Sequence, residues 1–485
     1  MIANPQPQKS DQLFQPAFPW MMLIGFVFII VVFSSLGGVG ARLTNFLYPT
    51  ISFAIGYFLY FRYPILYNGL VWWLFFLSPF IRRFCDWRLG AYTPPSSSYI
   101  LLAPFVVAMI SANTMVLNLP KTREQGSAPF VLAIAAVLYG YLVALAKGEG
   151  LLPSTVALLE WITPIVFGYH IYVNWSRYPL YSKNLQRVFL WGVLVMGTYG
   201  VYQFLVAPEW DRLWLIESGM NTSAGSPTPF GMRVWSTLNS QGPFGDYMVT
   251  GLLILLNCKG PLVAPASVFG AFSLLLSLVR AAWIGWMAAM LSLLVSLSAK
   301  QKARLLAALV SLTVILIPLI NIEPFSGVIT ARLESMVNLQ ESGSAQARQY
   351  TYAVMIDDAL IEIVGNGIGT VDTDSALLVL FFNLGWIGVI PYMGSLIFGN
   401  LLIFTERNNK NDLMTAIIRG VLIKSLLFLL AGPTMREAQG MILWGFLGLG
   451  LSGRSYYRNF YKQQLLLLTH NDLEVTSDVS SKSGN

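Results

Sequence analysis

The sequence predicts an all-α polytopic membrane protein, and three observations carry that reading. The 485 residues are 55% hydrophobic and only 11% charged, against about 25% charged in soluble domains, and the mean hydropathy is +0.61. The apolar residues gather into runs of about 20, the length a helix needs to cross the hydrocarbon core of a bilayer. Lysine and arginine are distributed unevenly between those runs, as membrane topology requires. No polar segment is long enough to fold alone.

On that rule about 12 to 14 spans are expected. They lie near residues 19–37, 45–61, 65–81, 98–118, 129–147, 151–174, 187–206, 245–258, 261–279, 281–298, 304–321, 375–403, 413–431 and 435–452. Trp and Tyr recur near their ends, as interfacial belts do. No cleavable signal peptide is expected, because the polar start runs to Phe18 and no small-residue cleavage site follows the first apolar run. The chain divides into N-terminal helices (1–184), a core (185–405) with loops 207–244 and 322–374, C-terminal helices (406–452) and a cytoplasmic tail (453–485). The tail starts basic and apolar, and its polar end reads as disordered.

Orientation follows from the basic residues. Lys300, Lys302 and Arg304, then Arg407 and Lys410, then Arg454, Arg458 and Lys462 mark one side as cytoplasmic. Alternation then puts both long loops on the other side. Neither holds a lysine, and the second carries eight acidic residues against Arg332 and Arg348. In the N-terminal half Leu119–Glu124 and Tyr181–Arg187 fit the cytoplasm, but Ile81–Gly90, with its three arginines, falls outside. Either a span between 45 and 81 is miscounted, or these arginines are kept outside to bind an anion.

Composition also narrows the function. Two histidines and two cysteines make a zinc site improbable, and Cys85 and Cys258 are too far apart in sequence for a disulfide framework. No basic cluster with interleaved aromatics suggests a nucleic-acid partner, and no cofactor is implied.

The polar exception is Ser342–Gly388. Arg348 opens RQYTYAVMIDDAL, which reads as a helix ending near Asp357 and Asp358. The pentapeptide Gly365–Gly369 (GNGIG) then turns tightly, and its backbone, at Gly367 and Gly369, can approach a ligand closely; it equally reads as a plain turn. Asp374 and Ser375 drive straight into an apolar run. Asp374 reads as an N-cap and as a general base, roles that are compatible. Asp372 with Asp374 makes a D-x-D, but few other carboxylates stand near it to complete a metal site.

The shorter loop begins with an amphipathic stretch carrying Trp210 and Trp214, read as an interfacial helix. A Gly/Ser/Pro-rich middle follows, and Arg233, Ser236, Thr237 and Asn239 then lead into the next span. Arg280 lies in SLVRAAWIGW, between two spans with no real loop. It reads as a snorkelling arginine or as a guanidinium offset by a bound phosphate. His170 reads as interfacial, and Asp246 as a group that could orient an arginine. Arginine's planar fork binds phosphate oxygens bidentately, so Arg233, Arg280 and Arg348 on one face suggest a lipid diphosphate as substrate. A transporter would show broken helices and a charged mid-membrane path, whereas the C-terminal spans read as continuous and nearly charge-free.

At these residues the chain resembles the O-antigen ligase and O-antigen polymerase superfamily. RVWSTLNSQGPFGDYM is similar to the family's Arg-x-x-Ser/Thr…Asn…Gly entry to a span. SLVRAAWIGW is similar to its Ser-Arg-Gly-Ala-Trp motif. RQYTYAVMIDDALIEIVGNGIG followed by DSALLVLFFNLGWIG is similar to its long-loop signature, and PFIRRFCDWRLGAY to a pattern of some members. The similarity spans about residues 185 to 405.

The resemblance implies a C-type glycosyltransferase fold in the bacterial inner membrane, with its site on two extracytoplasmic loops. It implies metal-independent transfer of glycan from undecaprenyl diphosphate at the periplasmic face. Arg233 and Arg280 match the family's diphosphate-binding arginines. Asp374, eleven residues before Gly385, stands where ligases commonly carry a catalytic histidine, a departure more compatible with polymerases. The expectation is therefore a polysaccharide polymerase making an exopolysaccharide or O-antigen-like polymer, with Asp374, Arg280 and Arg233 catalytic. Arg348, Asn239, Gly367, Gly369 and Ser375 are expected at the substrate. The expected partners are the lipid-linked oligosaccharide, membrane lipids, and a flippase and chain-length regulator of the same pathway. A ligase and a lipid-linked glycan transporter are the alternatives.

Overall fold

The computed structural model describes residues 17–94, 97–297, 299–323, 325–327, 343–406, 412–430, 432 and 434–482. Among them the chain is helix and connection, with one isolated bridge between Gly225 and Met232. Three antiparallel helices open the bundle: α1 (Ala17–Ser35), α2 (Gly37–Arg62) and α3 (Pro64–Leu89). The fourth apolar run is broken into a 3-10 turn, α4 (Ala103–Met109) and α5 (Ala112–Leu117). Next come α6 (Ala128–Ala146), α7 (Leu151–Val173) and α8 (Tyr178–Val206). The first long loop holds two short helices, α9 (Glu209–Glu217) and α10 (Asn221–Ala224). The second half consists of α11 (Gln241–Leu255), α12 (Val263–Leu276), α13 (Arg280–Ser296), α14 (Ala299–Ile320), α15 (Gly343–Ile361), α16 (Ala376–Phe404), α17 (Leu413–Phe428) and α18 (Glu437–Lys482).

Each apolar run expected to span is matched by helix. Among the described residues, seven helical stretches are long and apolar enough to cross a membrane, from Phe18–Ser35 to Ala376–Phe404. This is a multi-pass, all-α membrane protein. The expected 12 to 14 spans exceed that number partly because α11, α12, α13 and α17 have only 15, 14, 17 and 16 residues. At 1.5 Å per residue such helices cover roughly 21–26 Å, short of the ~30 Å hydrocarbon core.

The connections sort to two ends. At one, which we term the loop end, Arg83 of α3 bonds Asp211 of α9. There too Lys147, just past α6, donates to Asn366. At the other, Tyr178 at the start of α8 donates to Asp412 at the start of α17, and Arg454 pairs with Glu406. Arg454, Arg458, Lys462, Arg177, Lys183 and Arg187 belong to that second, basic end. Arg332, Arg407 and Lys410 lie outside the described residues, as do the side chains of Lys300 and Arg304.

Ile81–Gly90 therefore stands at the loop end because α3 runs that far; of the three opening helices, α1 and α3 are long and apolar enough to cross a membrane. The tail assigned to irregular chain continues α18 to Lys482. Neither proline nor glycine occurs between Gly453 and Gly484 to end that helix.

Close helix approach holds the centre. A Cβ on Gly168 of α7 would strike the Trp444 backbone of α18, and one on Gly448 would strike Gly168. Membrane helices associate by such small-residue crossings, because lipid removes the hydrophobic drive. Trp72, Trp161 and Trp444 are buried around this crossing. Gly168→Leu should cost at least about 1–3 kcal/mol through overpacking. A thermal melt of the detergent-solubilised protein, followed by Trp fluorescence, should show a clearly lowered midpoint; an unshifted one would refute the close crossing.

Candidate functional site

The first long loop is built on one buried carboxylate. Asp211 accepts from Arg83 Nε at 2.8 Å, from Tyr199 Oη at 2.6 Å and from Gln203 Nε2 at 2.8 Å. Arg83 also donates to the Leu238 and Ser236 carbonyls. Gln203 Oε1 in turn accepts from the backbone N–H of Trp235 and Ser236 at 3.1 and 2.9 Å. Ser236 is thereby held at φ 53°, a left-handed conformation that costs a non-glycine residue about 1–3 kcal/mol. Trp214 and Trp235 bury into a small core with Ala207, Leu215, Ala224 and Met232. The stretch carrying Trp210 and Trp214 is thus helical, as expected, but its tryptophans pack on protein: Trp210 Nε1 donates to Tyr199 Oη. Arg82 and Arg83 are buried and held by Asp86, Thr93 and Asp211, so they position the loop rather than meet an anion.

That frame delivers Arg233. The Val234 N–H donates to the Leu276 carbonyl at the end of α12, four residues before Arg280. Leu278, at φ 56°, turns the chain from α12 into α13. Arg280 is the first residue of α13, whose cap position, Val279, supplies no side-chain acceptor. Arg233 and Arg280 are both half-buried. Burial first, and then the charge of Arg280, push the Arg233 guanidinium below its usual pKa, although arginine stays charged at any ordinary pH. Two cations held within mutual repulsion at the start of a helix suit an anion. Nearby in sequence, Thr237 Oγ1, Asn239 Oδ1 and Gln241 Nε2 are buried without a hydrogen-bond partner among the described residues.

The second loop returns along α6 and α16. Lys147, Tyr139 and Gly140 bind it through Asn366, the Val364 carbonyl and the Ile368 N–H. Gly367 lies against Ala144 and Gly369 against Ala157, so their missing side chains make room for α6 and α7. Gly365 meets Gly385, where α16 is non-helical at φ 58°. Asn383 holds the following turn, with Nδ2 donating to the Val371 carbonyl at 2.8 Å.

Ser375, not Asp374, caps α16. Its Oγ accepts from Leu378 N–H at 3.4 Å and donates to Tyr352 Oη at 2.5 Å. A serine suffices there, which leaves Asp374 exposed, with no hydrogen bond or ion pair among the described residues. Arg348 lies on α15, which is helical as expected, but its side chain is outside the described residues. No described contact joins Asp374 to Arg233 or Arg280.

Several ionisable groups at or inside the bundle were not singled out from the sequence. Arg436, just before α18, reaches Asp372 at 2.5 Å and stands 3.8 Å from both Glu160 of α7 and Glu437. Lys424 of α17 pairs with Asp246 of α11 and donates to Thr250 at 2.7 Å. Asp246 therefore serves Lys424 and does not orient an arginine. His170 is buried, 2.6 Å from Thr114, rather than interfacial. A charge inside a span is the signal that could have found Glu160 and Lys424. The C-terminal spans are also not continuous, since α16 breaks at Gly385.

No protein-family model matches the chain, and no curated protein is similar to it at a significant level.

Arg83→Leu leaves Asp211 as a buried, unpaired carboxylate, which should cost about 3–5 kcal/mol. Limited proteolysis should then cut first between residues 207 and 240. Wild-type resistance in the variant would show that the pair does not hold the loop.

Proposed function

We propose that this protein is a glycosyltransferase of the bacterial inner membrane that polymerises oligosaccharide units carried on undecaprenyl diphosphate. The loop end faces the periplasm, because the opposite end carries the lysines and arginines that positive-inside topology keeps in the cytoplasm. One observation carries the reading: Arg233 and Arg280, 47 residues apart in sequence, stand close enough for one charge to disfavour the other. Such a pair is stabilised by a dianionic partner, and a membrane-anchored diphosphate provides one.

In this mechanism the acceptor hydroxyl attacks the anomeric carbon of the donor glycan. The carbon–oxygen bond to the diphosphate breaks, the electron pair leaves with the diphosphate, and the configuration inverts. Arg233 and Arg280 stabilise the charge that develops on that leaving group. Asp374, exposed beside the Ser375 cap, takes the proton from the attacking hydroxyl. Asn239 assists at the diphosphate, and Arg348 is assigned to donor or acceptor by the resemblance alone. A ligase would use the same donor chemistry with a different acceptor.

The test is purified protein with a lipid-diphosphate-linked repeat unit and a chelator present. A ladder of longer glycans is expected. Arg280→Ala should reduce it by about 10²–10³-fold, the usual loss for a charge-stabilising donor, without shifting the melting midpoint. Full-length polymer from that variant would sink the reading.

The break in α16 at Gly385, together with Glu160 and Lys424 inside spans, favours a second reading, a transporter of the same lipid-linked glycan. Movement of the lipid between vesicle leaflets, with no chain extension, would select it.

A further inference from the structure

The group around Arg436 has no role in the mechanism above. Glu160, Asp372 and Glu437 come from α7, the turn before α16 and the first residue of α18. The Glu160 and Glu437 carboxylates are 3.8 Å from the guanidinium, too far for a hydrogen bond. Among the described residues, neither makes any other hydrogen bond. Asp372 is in direct contact with Nη2 but its side chain remains 70% exposed.

Arg436 itself is only 8% exposed, and its Nε has no hydrogen-bond partner among the described residues. Close by in sequence, Thr434 Oγ1 and Trp161 Nε1 are also buried with no hydrogen-bond partner among the described residues. Glu437 holds φ 54°, a strained backbone of the kind that persists where the surroundings over-determine it. Three carboxyl groups around one guanidinium do not suit an anion. The central guanidinium disfavours a metal ion, and the described residues hold no cluster arranged for one. What remains is an array of free acceptors around a free donor, open on one side. It matches the vicinal hydroxyls of a carbohydrate, each of which donates one hydrogen bond and accepts others.

We propose that Glu160, Asp372, Arg436 and Glu437 form a carbohydrate-binding subsite at the loop end, which holds the acceptor end of the glycan. The acceptor role rests on the glycosyltransferase reading; sugar binding does not. The subsite is joined to the arginine pair through α11. Tyr247 Oη donates to the Ala438 carbonyl at 2.8 Å, and the adjacent Asp246 is held by Lys424.

Saturation-transfer NMR on the full chain in nanodiscs tests the assignment, with chitotriose, maltotriose and cellotriose as probes. Wild-type protein should give a transfer signal with at least one of them. Asp372→Asn, at an exposed side chain, and the near-isosteric Glu160→Gln should weaken that binding at least tenfold with unchanged melting midpoints. Arg280→Gln should leave it intact. No signal from any of the three sugars with wild type, or signals that both carboxylate variants retain, would overturn the subsite. Sugar binding with this pattern but no glycan transfer would uphold the subsite and end the glycosyltransferase reading.

Discussion

The loop end depends on the buried pair between Arg83 and Asp211. Each charge alone would be expensive inside the protein, and together they are tolerable only because further hydrogen bonds surround them. Tyr199 and Gln203 complete the carboxylate, and the Ser236 and Leu238 carbonyls complete the guanidinium. The result ties α3, α8 and α9 to the loop that carries Arg233. Without it, a Gly/Ser/Pro-rich segment of this length would have no fixed conformation, and Arg233 would not be held beside Arg280.

The same economy recurs at the second loop, with glycine in place of charge. Gly365, Gly367 and Gly369 have φ of 83°, 96° and 86°, and each lies where another segment fills the space of a side chain. Their function is close approach between backbones. The exposed polarity falls to the turn that follows, where Ser375 takes over the helix cap and leaves Asp372 and Asp374 with exposed carboxylates. Two polar centres result, one cationic at Arg233 and the start of α13, and one carboxylate-rich at α7, the turn before α16 and the start of α18.

This arrangement bears on how a bundle in lipid can present charge at all. Helices of 14 to 17 residues fall short of the hydrocarbon thickness, so their polar ends sit below the surface. Charges there require partners. Lys424 has Asp246, and Arg436 has Asp372.

Composition and apolar run length alone determined the fold class and nearly every helix, because the bilayer dictates segment length and polarity. Arg233 and Arg280 were legible as arginines meeting on one face, and the fold brings them within electrostatic reach of each other. What only the tertiary structure decided were the partners. Arg82 and Arg83 became internal struts, the glycines of the pentapeptide became packing positions, Asp246 went to Lys424, and Arg436 gathered carboxylates from two distant segments and from its neighbour Glu437. Local sequence reports a residue's cost in the membrane. Which group offsets that cost depends on contacts between segments more than 100 residues apart, and no periodicity or motif encodes them.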